Sequence, residues 1–263
     1  MCGISGFVDF NKQTSVEVLQ KMNRTLVHRG PDGEGYAIYD PADAGIGLGH
    51  RRLSIIDLSE AGAQPQHYQH LHITFNGEIY NYREIKDELI SKGHQFASHS
   101  DTEVVLHAYA EWGEKCLHRF IGMFAFVIYD ELKQELFACR DRAGVKPFLY
   151  YWDKGLFLFG SELKAIMAHP QFPKEINMDA AAAYMQFGYV PAPHCIFINT
   201  YKLNPGHYLK LSLSNKGIII EQYWNIYDYY NKPTLDISFE DAITETEKLL
   251  KSAFQYRMVS DVP

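Results

Sequence analysis

Met123-Phe124-Ala125-Phe126-Val127-Ile128-Tyr129 is followed, after a short charged interval, by Glu135-Leu136-Phe137-Ala138-Cys139-Arg140. Apolar runs of this length, rich in aromatic and β-branched residues and bounded by turn formers, read as strands. Two more lie just downstream, Phe148 to Tyr151 and Leu156 to Phe159. Upstream, Ile4 to Phe10, Glu34 to Tyr39, Ile46 to Arg51 and Leu71 to Asn76 are further strand candidates. His207 to Leu213 with Gly217 to Tyr223 reads as a hairpin. Helical spacing is confined to separate blocks: Val16 to Leu26, a segment from Asn81 through Leu89, one from Ser100 through Trp112, and Asp179 to Phe187. Asn81 with Glu84, and Ser100 with Glu103, have the spacing of capping boxes. Ser161 is expected to open a helix that Pro170 stops. Strands outnumber helices and do not alternate with them one for one, which favours an α+β fold with a largely antiparallel sheet.

The 263 residues suit one large domain, or one domain with part of another. Apolar residues make up 46%, charged residues 22% and aromatics 14%, which excludes disorder over most of the length. A net charge of −7 with no basic stripe argues against a nucleic-acid partner. Apolar runs are far shorter than the ~20 residues of a membrane span, and no secretory signal opens the chain. Cys2, Cys116, Cys139 and Cys195 lie far apart, so neither a zinc knuckle nor a disulfide framework is expected, and the chain reads as cytoplasmic. His67, His70 and His72 crowd one segment without companion ligands and read as a solvated loop, so no metal site is assigned. Asn225 to Pro233 reads as a linker. Glu240 to Met258 reads as an amphipathic helix with Ile243, Leu249, Leu250, Ala253 and Phe254 as its buried stripe.

Chemistry concentrates in a few places. If Met1 is removed, Cys2 carries a thiol and a free α-amine on one residue, and the amine can take the thiol proton near neutral pH. Taken alone, Cys2 reads more readily as an ordinary small residue at a start. Asn76-Gly77 is a hairpin-turn signal, and also a pair whose side-chain amide and backbone N–H can converge on one oxygen. The arginines of Gly49-His50-Arg51-Arg52-Leu53-Ser54-Ile55-Ile56-Asp57 offer a fork for a carboxylate, or lie beside a strand. Asp101 sits where a helix cap is also expected.

Taken in order, eight blocks resemble one family: Cys2-Gly3-Ile4-x-Gly6, His28-Arg29-Gly30-Pro31-Asp32, His50-x-Arg52-Leu53-Ser54-Ile55, Asn76-Gly77-Glu78-Ile79-Tyr80-Asn81, Ser100-Asp101-x-Glu103-Val104, Gly122-Met123-Phe124-Ala125-Phe126, Arg140-Asp141-Arg142-x-Gly144-Val145-Lys146-Pro147 and Ser161-Glu162-Leu163-Lys164-Ala165. The pattern resembles the class II, N-terminal-nucleophile (Ntn) glutamine amidotransferase domain, in the version fused to glutamine-hydrolysing asparagine synthetases. The tail from Tyr256 to Pro263 resembles the stretch that precedes the ATP-pyrophosphatase loop of those synthetases.

That resemblance implies a four-layer αββα Ntn-hydrolase fold with two stacked antiparallel sheets. It implies a glutaminase domain over residues 1–215, then a linker and the first helix of a truncated asparagine synthetase domain over 216–263. Cys2 would be the nucleophile, its α-amine the general base, and Asn76 and Gly77 the oxyanion hole. Arg52 rather than Arg51 would hold the α-carboxylate of L-glutamine, and Glu78 and Asp101 its α-ammonium. Backbone groups of Leu53, Ser54, Ile55 and Ile56 would complete the pocket, with Arg29 in support. No cofactor is expected of this stretch; ATP and Mg²⁺ belong to the full-length enzyme, whose second domain would receive the ammonia. A homodimer is compatible with the resemblance. Glucosamine-6-phosphate synthase and amidophosphoribosyltransferase relatives, a synthetase amidating a sugar acid or peptide, and a non-catalytic glutamine-binding relative are the alternatives.

Overall fold

The computed structural model describes residues 1–54 and 60–258. Among these residues the strands form two sheets of six. The first contains β1 (Gly3–Asp9), β2 (Gly33–Tyr39), β3 (Gly45–Arg52), β8 (Leu149–Asp153), β9 (Leu156–Gly160) and β10 (Thr200–Lys202), in the order β10-β8-β9-β1-β3-β2. The second contains β4 (Gln66–Tyr68), β5 (Leu71–Ile79), β6 (Gly122–Asp130), β7 (Glu135–Arg140), β11 (His207–Ser212) and β12 (Ile218–Gln222), in the order β12-β11-β7-β6-β5-β4. All the pairings are antiparallel.

Side-chain alternation turns these sheets into layers. Ile4 and Val8 of β1, Ile46 and Leu48 of β3, and Phe157 and Phe159 of β9 pack against Ala125 and Val127 of β6 and Leu209 and Leu211 of β11. This is the interface between the sheets. On the outer face of the first sheet, Phe7 and Leu158 meet Leu19 and Met22 of α1 (Val16–Arg24) and Ile166, in the helix after β9. On the outer face of the second, Ile73, Phe75 and Phe126 meet Ile85 and Leu89 of α2 (Tyr82–Ser91) and Val104 and Val105 of α3 (Asp101–Trp112). The result is the expected αββα sandwich. Central strands β1 and β9 are buried along their whole length, which explains why their sequences alternate weakly. The edge strand β2 does alternate.

Several local expectations change. The three-residue strands β4 and β10 are too short to show a period. β5 runs three residues past Asn76, to Ile79, so Asn76-Gly77 lies within a strand rather than at a hairpin turn. His67 and His72 are directly opposed in β4 and β5 rather than in a loop, and His72 Nε2 lies 2.9 Å from Glu131 Oε1. Asn81 precedes α2 without capping it. Its Oδ1 instead accepts from Ile121 N–H (2.9 Å) and its Nδ2 donates to the Arg119 carbonyl (3.0 Å). Ser100 does cap α3, accepting from Thr102 N–H, whereas Glu103 accepts from Ala97 and Ser98. Ser161 caps no helix, because α4 starts two residues later (Leu163–Met167) and Ser161 Oγ accepts from Ile4 N–H (3.0 Å).

After α5 (Met178–Phe187) the chain adds β10 to the edge of the first sheet and then β11 and β12 to the second. β12 places residues 218–222 in that sheet, beyond residue 215. The linker residues hold a short helix, α6 (Tyr227–Tyr230). The last helix, α7 (Phe239–Arg257), leaves its apolar stripe exposed: Ile243, Leu249, Leu250 and Phe254 are 52–67% accessible. Among the described residues no helix is long and apolar enough to cross a membrane.

Candidate active site

At one end of the layer between the sheets the apolar filling gives way to a cavity of about 170 Å³. The register of three strands decides what points into it. On β3 the inward stripe Ile46, Leu48 continues as His50 and Arg52, so Arg52 lines the cavity. Arg51 takes the opposite face, where Nη1 pairs with Glu34 Oε2 (2.5 Å) and Nε donates to the Gly30 carbonyl (3.2 Å). Strand alternation thus separates the two arginines.

On β5 the even-numbered side chains face the first sheet. Thr74 Oγ1 donates to the Gly49 carbonyl (3.0 Å), Asn76 Nδ2 lies 3.5 Å from Ser161 Oγ, and Glu78 comes next. Backbone direction follows from the ladder. Tyr80 N–H donates to Ile121 O, and His70 O accepts from Glu131 N–H, so even residues of this register bond β6 and odd residues turn their N–H and C=O away from it. β4 covers that free edge only along Leu71 to Ile73.

Side chains satisfy it further on. Phe75 N–H donates to Gln64 Oε1 (2.6 Å), the Phe75 carbonyl meets His50 Nε2 (3.1 Å), and Ile79 N–H donates to Asp101 Oδ2 (3.0 Å). The Gly77 N–H emerges on the same edge, between those two anchors, into the cavity. A Cβ on Gly77 would sit 2.4 Å from the Met123 carbonyl, so only glycine lets β5 run this close to β6 here.

Cys2 enters ahead of β1. Its Sγ accepts from Leu53 N–H (3.3 Å) and lies 3.5 Å from the Leu53 carbonyl. Arg29 Nε donates to the Cys2 carbonyl (2.9 Å), and Arg29 Nη1 is held by Glu162 (3.1 Å). The His28-to-Asp32 and Ser161-to-Ala165 blocks therefore meet behind the thiol. Ser54 lies off the cavity, with its N–H on Asp32 Oδ2 (2.8 Å). Ile55 and Ile56 fall outside the described residues.

Burial sets the electrostatics of the cavity. Asp101 is 5% exposed at the start of α3, and burial pushes its carboxyl up to about 7. The N–H bond from Ile79 works against that shift and the charge of Glu78 adds to it. Glu78 is raised by burial as well, with Lys146 opposing. Burial raises the Cys2 thiol. His50 is pushed down to about 3 by burial, so it is neutral and can donate through Nε2.

Thus one cavity collects a thiol (Cys2), a guanidinium (Arg52), two carboxylates (Glu78 and Asp101), and an amide and an N–H (Asn76 and Gly77). His50, Gln64, Thr102, Met123 and Lys146 also line it and were not singled out as site residues from the sequence. His50 and Gln64 act on the backbone of the residue before Asn76, a role that shows only once the strand register is known. Lys146 stands within one of the eight blocks, and that was its only signal.

The fold, with two antiparallel six-stranded sheets between helical layers, is that of amidotransferase domains. The profile of the glutamine amidotransferase domain family matches residues 1–224, and the chain belongs to that family. It is 42% identical, over its whole length, to the putative glutamine-hydrolysing asparagine synthetase 2 of Methanocaldococcus jannaschii, and covers 53% of that protein. It is 38% identical to asparagine synthetase 3 of Bacillus subtilis, covering 42% of it. At 35% it matches a protein named amidase chry2 from Gibberella zeae, again over the whole chain and 40% of the relative. The chain therefore spans about half, or less, of the length of these curated relatives. Among solved structures, glutamine phosphoribosylpyrophosphate amidotransferase from B. subtilis shares the fold, with a TM-score of 0.61 at 19% identity, over 85% of this chain and 49% of that one.

Proposed function

We propose that this domain hydrolyses L-glutamine to glutamate and ammonia through a γ-glutamyl thioester on Cys2. The observation that carries the reading is the single cavity in which Cys2, Arg52, Asn76, Gly77, Glu78 and Asp101 converge. Free glutamine is a zwitterion. Arg52 would take its α-carboxylate as a fork, and Glu78 and Asp101 its α-ammonium. This directs the side-chain amide toward Cys2.

Sγ attacks the amide carbon, and the thiol proton passes by way of the α-amine of Cys2 to the departing nitrogen, which leaves as ammonia. Water then attacks the thioester, its hydroxyl staying on the acyl carbon; the C–S bond breaks, glutamate is released, and the proton from water restores the thiol. Both tetrahedral oxyanions would rest on Asn76 Nδ2 and Gly77 N–H. The base exists only once Met1 is removed, since an acylated nitrogen cannot accept a proton. The ammonia would serve an ATP- and Mg²⁺-dependent synthetase segment of a longer polypeptide, with aspartate as acceptor and asparagine as product. The match to amidase chry2 favours a second reading in which the same domain feeds a different acceptor.

The test pairs intact mass with glutamate release by wild type and Cys2→Ala. Release by protein lacking Met1, lost in the variant, supports the reading. Equal turnover with and without Met1 overturns the α-amine mechanism.

A further inference from the structure

Lys146 is a charged group in the cavity that the reaction above does not use. It is 3% exposed and lines the cavity beside Cys2, Glu78 and Met123. Its backbone is gripped from both sides. The Lys146 N–H donates to Asp141 Oδ2 (2.9 Å), and its carbonyl accepts from Arg140 Nε (2.8 Å). Arg140 is tied in turn to the Gly144 and Leu203 carbonyls (2.7 Å each), while the Asp141 carboxylate also accepts from the N–H groups of Phe124, Ala143 and Val145. The loop is a fixed bracket that delivers one ammonium between the sheets.

A buried ammonium demands anions around it. Those facing it are Glu78 from β5, the Cys2 sulfur ahead of β1, and Asp141 of its own loop; Arg29, from the loop after α1, opposes it. Around Cys2, the Met1 ammonium (present only before Met1 is removed) and Lys146 are the cations, Asp101 of α3 is the opposing anion, and Leu53 N–H donates to the sulfur. Arg52 completes the charged lining. Burial alone raises the thiol and lowers the lysine, and each draws the other back toward its charged form.

We propose that Lys146 is a positioning residue for the nucleophile: its ammonium, carried by the side chain that lines the cavity together with Cys2 and Glu78, steadies Sγ as the thiolate that attacks. The role rests on Cys2 being the nucleophile and adds an activator that does not depend on the α-amine. Glu78, which lines the same cavity, competes with Sγ for that ammonium while the cavity is empty.

The experiment is the rate of Cys2 alkylation by iodoacetamide against pH, on the full chain after removal of Met1 and without glutamine. Cys116, Cys139 and Cys195 are buried, and Cys2→Ala supplies the blank. Lys146→Met should raise the midpoint by about one pH unit, making alkylation near pH 7 about tenfold slower. Lys146→Arg should restore it. Glu78→Gln, which removes the competing anion and leaves the lysine in place, should move the midpoint down. A folded Lys146→Met with the wild-type midpoint overturns the proposal. Should that variant not fold, a Glu78→Gln midpoint equal to or above wild type overturns it. Glutamate release is scored separately. Processed protein with the lysine-dependent midpoint but no turnover would break the glutaminase reading and leave this one standing.

Discussion

The cavity end of the sandwich and the C-terminal helix break the ordinary rule of burial in opposite directions. In the cavity, Asp101, Asn76, His50 and Lys146 are at most 5% exposed although each is polar or charged. Along α7, Leu249 and Phe254 are 67% exposed although both are strongly apolar. Buried polar groups destabilise a fold unless their partners are complete. Asn76 Oδ1 has no hydrogen-bond partner among the described residues, and Asp101 is pushed toward its neutral form. Exposed apolar groups cost little but contribute nothing to the stability of this domain. Substitutions should therefore separate activity from stability in the first region and affect neither in the second.

Cys2→Ala provides the largest effect. Glutamate release should fall to background, while the urea midpoint stays near wild type, because the sulfur's hydrogen bonds are long ones, from the Leu53 N–H at 3.3 Å and to the Leu53 carbonyl at 3.5 Å. A chain that retains Met1 should be comparably inactive despite an intact thiol. Asn76→Ala follows, with kcat reduced by ~10²–10³ and KM little changed, since an oxyanion donor acts in the transition state. Its stability cost should be small, because the side chain removed is a half-satisfied buried amide.

Asp101→Asn should divide the two properties most clearly. The folded carboxyl ionises near 7 and the unfolded one near 3.8, so the folded state holds the extra proton between those values. Stability therefore falls as pH rises from about 4 to about 7 and stays low above it. The full difference is worth about 4 kcal/mol as a ceiling. Asn keeps an oxygen for Ile79 N–H without the charge. Above pH 7 the variant should melt higher, by ~2–4 °C for each kcal/mol relieved, while KM for glutamine rises sharply. In wild type, KM should climb as pH drops below 7, because the neutral acid no longer attracts the ammonium. A variant that melts at or below wild type at pH 8 would show that Asp101 is not strained.

Much of this was legible in the residues themselves. Most strands and the α+β, antiparallel character agree with the reading of the residues, and the αββα layering with what the family resemblance implied. The strands have patterns longer than one period, and eight ordered motifs constrain each other. What escaped depends on tertiary register. Gln64 and His50 matter because β4 ends early and leaves the Phe75 backbone to be satisfied by side chains. Asn81 looked like a cap and instead closes the 119–121 loop, since a side chain three residues from a Glu has the same spacing in either role. The stripe of α7 has a correct helical period, but period does not say whether a face is covered.

That last point sets the smallest prediction. Leu249→Ser and Leu250→Ser should change the unfolding free energy by no more than about 0.5 kcal/mol. The side chains are already 67% and 54% exposed, so little transfer free energy is left to lose. Leu89→Ala, whose side chain is fully buried between α2 and the second sheet, should by contrast cost ~2–5 kcal/mol. The helix touches the rest of the molecule through polar and aromatic contacts near its end: Tyr256 OH donates to Glu84 Oε1 (2.7 Å), and Arg257 lies 5.2 Å from the Tyr80 ring. A loss above 1 kcal/mol on either serine substitution would mean that the stripe is covered in solution and that the contrast with the cavity fails at this end.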